Sequence, residues 1–168
     1  MVKFNPFRLF RYYLLRFTRL RGDPYSLARG TGVGIFIGVL PLLPVQTIIL
    51  IPLTLLLRVN TIAAVIAASV VSNPLTFVPQ YYYTWKVGNK ILPGRVSWEY
   101  LQEIMATIHH ESLLNGIRTL SHLGFKSLSV ILTGGAIIGL PLAVIGYYIA
   151  LNFFIRLRAK RIAKQKLD

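Results

Sequence analysis

Residues 30–57, GTGVGIFIGVLPLLPVQTIILIPLTLLL, carry no Asp, Glu, Lys, Arg or His. At ~1.5 Å rise per residue a helix of this length reaches across a ~30 Å hydrocarbon layer. The stretch does not read as one rod, however. Gly30, Gly32, Gly34 and Gly38 precede Pro41 and Pro44, and the polar pair Gln46-Thr47 follows. One proline removes a single donor and kinks a helix, whereas two so close together interrupt the hydrogen-bond ladder. The stretch therefore predicts two half-helices and a turn, with Gly34, Gly38, Pro41 and Pro44 as the helix-break residues.

Working outward, residues 59–85 form a second uncharged run with the same anatomy. A small-residue helix over 61–71 meets Ser72-Asn73-Pro74-Leu75-Thr76, then Pro79 and the aromatics Tyr81, Tyr82, Tyr83 and Trp85. Asn before Pro is pushed out of the α region, so the helix is expected to stop there and restart at Pro74. The aromatics suit a membrane–water interface. A third uncharged run, 127–155, contains Gly134-Gly135, Gly139 and Pro141. Its GAIIGLPL over 135–142 echoes GIFIGVLPL over 34–42 with one residue deleted, as an internal repeat would. The fold class that follows is an all-α integral membrane protein: three long apolar segments with Gly/Pro-broken half-helices, at least one of them re-entrant, behind an N-terminal amphipathic interfacial helix.

The charge pattern agrees. The net charge is +14 and 54% of residues are hydrophobic. The cations gather against the ends of the apolar runs: Lys3, Arg8, Arg11, Arg16, Arg19 and Arg21 before the first, and Arg156, Arg158, Lys160, Arg161, Lys164 and Lys166 after the last. Under the positive-inside rule both termini are cytoplasmic. A nucleic-acid binder would spread such charge over a folded surface, so nucleic acid is not an expected partner. The first apolar run is too long for the core of a signal peptide and is expected to remain in the mature protein. With no cysteine, disulfides, thiolate metal sites and cysteine nucleophiles are excluded. Three full crossings would put the basic tail outside, so one run is expected to enter and leave from the same side or to be split into two short crossings. The Gly/Pro-dense first run is the choice. Arg58 and Asn60 then lie in its short connector to the second run, with Arg58 snorkelling to headgroups or facing a cavity.

The chain reads as a single membrane domain: 1–29 a basic interfacial helix, 30–85 two broken segments, 86–126 an amphipathic connecting segment, 127–155 the third segment and 156–168 a basic tail. Within 7–20, Arg8, Arg11, Arg16 and Arg19 share one arc of a helical wheel, opposite Phe7, Leu9, Phe10, Tyr13, Leu14, Phe17 and Leu20. This outlines a helix with its apolar face in the acyl boundary and its arginines on lipid headgroups. Asp23 is placed to cap the next helix, with Pro24 at its first position. In the connecting segment, His109, His110, Glu111 and His122 lack the i, i+4 pairing of a helical metal site, so no metal is expected.

Backbone that breaks helical form at membrane depth needs protein or trapped water to satisfy it. Two successive breaks beside Gln46, Thr47, Ser72, Asn73 and Thr76 therefore predict one shared polar pocket. The small-residue faces of Gly34-x-x-x-Gly38 and of the alanine helix allow close packing around it. At Arg58-x-Asn60 and Asn73-Pro74-Leu75-Thr76 the chain resembles the bacterial membrane family catalogued as domain of unknown function 2062. The likeness spans about residues 23–92, through Asp23-Pro24, Ala28, Gly34, Gly38, Pro41, Gln46-Thr47, Arg58, Asn60, the Asn73–Thr76 element, Pro79, Tyr82 and Gly88. Pro44 departs from it, standing where a glycine is more usual. The resemblance implies a small bacterial inner-membrane protein and supplies no activity.

Residues 30–85 contain no carboxylate, His or Cys. Hydrolysis, group transfer and carboxylate proton relays lack their usual groups there, so neither catalysis nor a cofactor is expected. What remains are neutral donors, helix N-termini and a cation, a set suited to an anion. The expected function is binding of an anionic lipid headgroup or small anionic solute, with its translocation as the extension. The expected ligand-binding residues are Gln46, Thr47, Arg58, Asn60, Ser72, Asn73, Pro74, Thr76 and Tyr82. The alternative is a membrane scaffold that recruits a partner and transports nothing. Expected partners are the lipids of an anionic leaflet, and the small-residue faces are compatible with a homo-oligomer.

Overall fold

The computed structural model describes residues 6–20, 22–40, 42, 45–73, 76–93, 97, 99, 102 and 124–165. Among these the regular elements are six helices: α1 (Pro6–Thr18), α2 (Pro24–Val39), α3 (Gln46–Leu56), α4 (Thr61–Val71), α5 (Phe77–Ile91) and α6 (Gly124–Gln165). No strand occurs among them.

Each interruption has a local cause. Asp23 caps α2 as expected, its Oδ2 accepting from Ser26 N at 2.9 Å with Pro24 in the first turn. The first apolar run breaks between Val39 and Gln46. Pro41 and Pro44, predicted to cause that break, lie outside the described residues, as does Pro74. α4 ends at Val71, but α5 starts at Phe77, later than the restart expected at Pro74. Asn73 and Thr76 hold the intervening turn, and Pro79 then falls in the first turn of α5, where its missing N–H costs nothing.

The third apolar run corrects the sequence reading. It is not broken: α6 is one helix of 42 residues that passes through Pro141 and continues into the basic tail. A lone proline forfeits one ladder bond, and no second proline follows to stop the helix. The echo between 34–42 and 135–142 is therefore one of sequence, since the first copy ends a helix and the second lies inside one. The histidines at 109, 110 and 122 and Glu111 lie outside the described residues.

Glycines set the packing directions. A Cβ on Gly30 would overlap the carbonyl oxygen of Asn60, one on Gly34 would overlap that of Ala64, and one on Gly38 would stand 3.1 Å from Ala68 Cα. Both series ascend, so α2 and α4 run parallel with their backbones touching. The order reverses along α6: Gly32 faces Ala143 and Tyr147, while Gly139 faces Phe36 and Val39. Gly88 closes on Val130 and Gly134 on Thr84 in the same reversed sense. α6 is thus a spine, carrying α5 on its N-terminal half and α2 on its C-terminal half, both antiparallel to it. α3 brings the chain back beside the start of α2, where Asn60 N donates to Ser26 O at 3.3 Å.

Among the described residues two apolar clusters hold this arrangement. One joins Leu27, Ala28, Ala63, Ala150 and Phe154, with Phe17 of α1 packed against them. The other joins Ile37, Leu40, Leu50, Ala64 and Ala68. Arg161 ties α1 to the far end of α6, donating to Thr18 O (2.6 Å) and Leu20 O (3.0 Å). Among the described residues, α6 contains the one helix long and apolar enough to cross a membrane, over Ser127–Ala163; α3 and α4 are apolar but shorter.

Candidate functional site: a junction of helix ends

The ends of α2 and α4 meet the beginnings of α3 and α5. Gly38 touches Ala68 and Val71 at the close of α4. Leu40, Leu50 and Ala68 share one buried cluster, which brings α3 to the same place. From α5, Gln80 Nε2 donates to Gly38 O at 2.7 Å and Val39 O at 2.9 Å. The last carbonyls of any helix lack intrahelical donors, so one amide here meets the orphaned end of α2. Two helix C-termini, partly negative, and two N-termini, partly positive, are thereby brought towards one another.

The polar residues around the junction divide by what their side chains do. Asn73 and Thr76 cap each other: Thr76 N donates to Asn73 Oδ1 (3.2 Å) and Asn73 N to Thr76 Oγ1 (3.1 Å). Thr76 Oγ1 donates on to Val71 O at 2.6 Å and Asn73 Nδ2 to Val70 O at 2.8 Å, so both side chains serve the broken backbone. Ser72 is half-buried and ends α4, with its N–H on Ala68 O. Thr47 is exposed in the first turn of α3.

Gln46 differs from these. It heads α3 and is 6% exposed, yet its Oε1 has no hydrogen-bond partner. No side chain caps the N-terminus of α3 either, since the cap position is Val45. Buried polar atoms are nearly always bonded, so this oxygen stands out among the described residues. The two ends of a glutamine amide exchange by a half-turn, so the group can present either an acceptor or an NH2.

The other predicted ligand residues lie elsewhere. Asn60 and Arg58 are at the opposite end of α4, in the α3–α4 turn beside Ser26 and Gly30. Asn60 Oδ1 caps α4 by accepting from Ala63 N at 2.9 Å. Arg58 is exposed, with φ 53°. Tyr82 sits in the aromatic group of α5, 6.1 Å from the Trp85 ring and 5.5 Å from Lys86 Nζ. The expected single pocket is therefore two polar regions, with Gln46, Ser72, Asn73 and Thr76 at one and Arg58 and Asn60 at the other.

Arg11 and Arg16 of α1 and Arg19 just after it are exposed, while Phe17 on the other face packs against Phe153 and Phe154 of α6; the side chain of Arg8 falls outside the described residues. Sequence reasoning missed Gln80, although an amide inside an uncharged run just after Pro79 was the available signal. It also missed Thr54, which is wholly buried and joins α3 to α4 by donating to Thr61 Oγ1 at 3.0 Å.

No curated protein and no solved structure matches the chain. The family model described as "Uncharacterized protein conserved in bacteria (DUF2062)" matches residues 7–163, well beyond the 23–92 on which the resemblance rested. From α1 to the last turns of α6, the chain belongs to this bacterial family.

Proposed function

We propose that the chain is a multi-pass protein of the bacterial inner membrane that binds an anion, either a lipid headgroup or a small solute, at the junction of helix ends. In this reading α2 and α3 form a re-entrant hairpin, α4 and α5 cross as a broken helix, and α6 crosses unbroken. Several features support the embedding. Only 33% of the apolar window of α6 is buried by the protein, unlike the core helix of a soluble fold. Leu56 of α3 and Ile149 of α6 are 79% and 65% exposed, among many apolar side chains that water would penalise. Phe36 and Val39 face Gly139, two residues from Pro141, the midpoint of the uncharged run 127–155. The junction then lies ~3 Å along α6 from the bilayer centre. The α1–α6 contact and the α3–α4 turn share the opposite end, with exposed Arg11, Arg16, Arg19, Arg29, Arg58, Arg156 and Arg158, so that end is cytoplasmic.

The observation that carries the binding site is the buried Oε1 of Gln46, without a hydrogen-bond partner among the described residues, at a helix N-terminus that no side chain caps. N–H groups there and the amide's own NH2 are neutral donors at low dielectric, where an anion gains most from them. With no carboxylate, His or Cys over 30–85, the site holds a ligand rather than transforming it. Movement of the ligand would require α3 or α5 to rock about the broken ends.

The side chains of Asn60, Asn73 and Thr76, all engaged in capping, favour a second reading in which the junction is a rigid scaffold. Calorimetric titration of the purified protein in neutral maltoside micelles, with inorganic phosphate and with glycerol 3-phosphate, separates the two. The binding reading expects saturable uptake of one of these anions, weakened at least ~10-fold in Gln46→Leu, while the ligand-free variant becomes ~1–3 kcal/mol more stable because an unpaired buried acceptor is gone. No saturable uptake, or equal uptake by both proteins, supports the scaffold instead.

A further inference from the structure

α1 does not lie flat against α4. Between α1 on one side and α2, α4 and α6 on the other runs a slot of about 350 Å³, lined by Tyr13, Phe17, Ile35, Ile66, Val70 and Ile149. Thr31 also lines it, but its hydroxyl donates to Leu27 O at 2.9 Å, so the wall offers no free polar group. A second chamber of about 400 Å³ abuts the first, with Tyr13 and Ile66 common to both walls. Its character is mixed: Tyr12, Arg16, Thr61 and Ser69 line it beside Ile62 and Val65, and the Ser69 hydroxyl donates to Val65 O at 2.8 Å, which leaves Arg16 as its charged group.

Arg16 donates to the Tyr12 hydroxyl at 3.2 Å, which leaves most of its guanidinium N–H groups open. Among the described residues no carboxylate answers it. The acids among the described residues are Asp23, which caps α2, and Glu99. An apolar slot beside a basic, hydroxyl-lined chamber is complementary to an amphiphile with a hydrocarbon chain and an anionic head. Both chambers fall in the size range of small-ligand sites. We infer that the cleft between α1 and α4 is a second, separate lipid site, holding one acyl chain of an anionic phospholipid in the apolar slot with its phosphate on Arg16.

This site rests on the membrane embedding proposed above but not on the helix-end junction. Bacterial membranes containing the chain are first washed with alkaline carbonate. The protein retained is then purified in neutral micelles, and its bound lipid is read by native mass spectrometry with phosphatidylglycerol and phosphatidylcholine of equal chain length. The expected result is one phosphatidylglycerol per chain, held about fivefold more tightly than phosphatidylcholine, as one near-surface cation would provide. Arg16→Gln should erase that preference while leaving a weakly held lipid. Ala67, a buried alanine of α4, also lines the slot, so Ala67→Phe fills it and should lose both lipids; if that variant does not fold, Val70→Phe at the partly exposed wall serves the same purpose. Gln46→Leu should change neither. Equal retention of the two lipids by the unaltered protein, or phosphatidylglycerol binding that survives the plugged slot, overturns the site. Loss of phosphatidylglycerol in Gln46→Leu would move the lipid to the junction and overturn it as well. Release by carbonate would remove the embedding and this site together.

Discussion

Arg58 is the one non-glycine residue with a left-handed backbone among those described, at φ 53°. The cause is the way α3 ends. Val59 N donates to Thr54 O at 3.0 Å and Arg58 N to Leu55 O at 3.1 Å, the paired bonds of a Schellman motif whose left-handed position is usually glycine. A Cβ there costs ~1–2 kcal/mol. Arg58→Gly is therefore expected to raise the unfolding free energy by ~1 kcal/mol in micelles, whereas Arg58→Ala, which keeps the Cβ, should bring no such gain. Equal melting of the two variants would contradict this account of the turn. From sequence, Arg58 was visible as a cation held near the membrane. Its backbone role was not, because an arginine in that position leaves no local signature. Asn60 and Asn73 were visible as polar residues at breaks, but a sequence does not say whether an amide bonds its own backbone or a ligand, and in the structure both cap.

At the scale of elements, the seam between α2 and α4 decides whether the junction can form. Gly34 meets the Ala64 backbone so closely that an added methyl has no room, whereas a Cβ on Gly32 would stand 3.3 Å from Ala143 O, where a small shift relieves it. Gly34→Ala should destabilise the protein by ~1–3 kcal/mol through overpacking, with Gly32→Ala costing distinctly less, as read from denaturant or thermal unfolding. Comparable losses in the two variants would mean that the seam is not the tight contact described. The Gly34/Gly38 spacing and the alanine face were legible, since both lie within short, regular stretches. The two breaks, after Val39 and after Val71, were legible because the sequence there carries Pro41, Pro44 and Pro74, a residue type that interrupts the helical ladder. The partner that completes them was not: Gln80 reaches carbonyls 41 and 42 positions away in the chain, a contact set by tertiary packing. Nor was the continuity of α6, because Pro141 alone does not reveal whether its neighbours will hold the helix through a lost bond.

For the whole molecule, the path of the chain along α6 reconciles three uncharged runs with two basic termini. α2 and α3 go out and return, α4 and α5 go out in two steps, and α6 comes back, so that Thr18, Leu20 and Arg161 meet at one end with the α3–α4 turn on the same side. Lys90, near the close of α5, belongs to the other end. The arrangement brings the ends of α2 and α4 towards the beginnings of α3 and α5, which the proposed embedding sets near mid-membrane, and among the described residues it leaves the buried Oε1 of Gln46 there without a hydrogen-bond partner. The naturally cysteine-free chain allows the decisive measurement: single cysteines in place of the exposed residues Arg19, Arg58 and Lys90, labelled with a membrane-impermeant thiol reagent in sealed inverted and right-side-out vesicles. The account predicts that Arg19→Cys and Arg58→Cys react from the cytoplasmic face and Lys90→Cys from the opposite one. Labelling of positions 19 and 58 from opposite faces, or of 58 and 90 from the same face, would contradict the doubled-back α2–α3 hairpin and the midplane junction that depends on it.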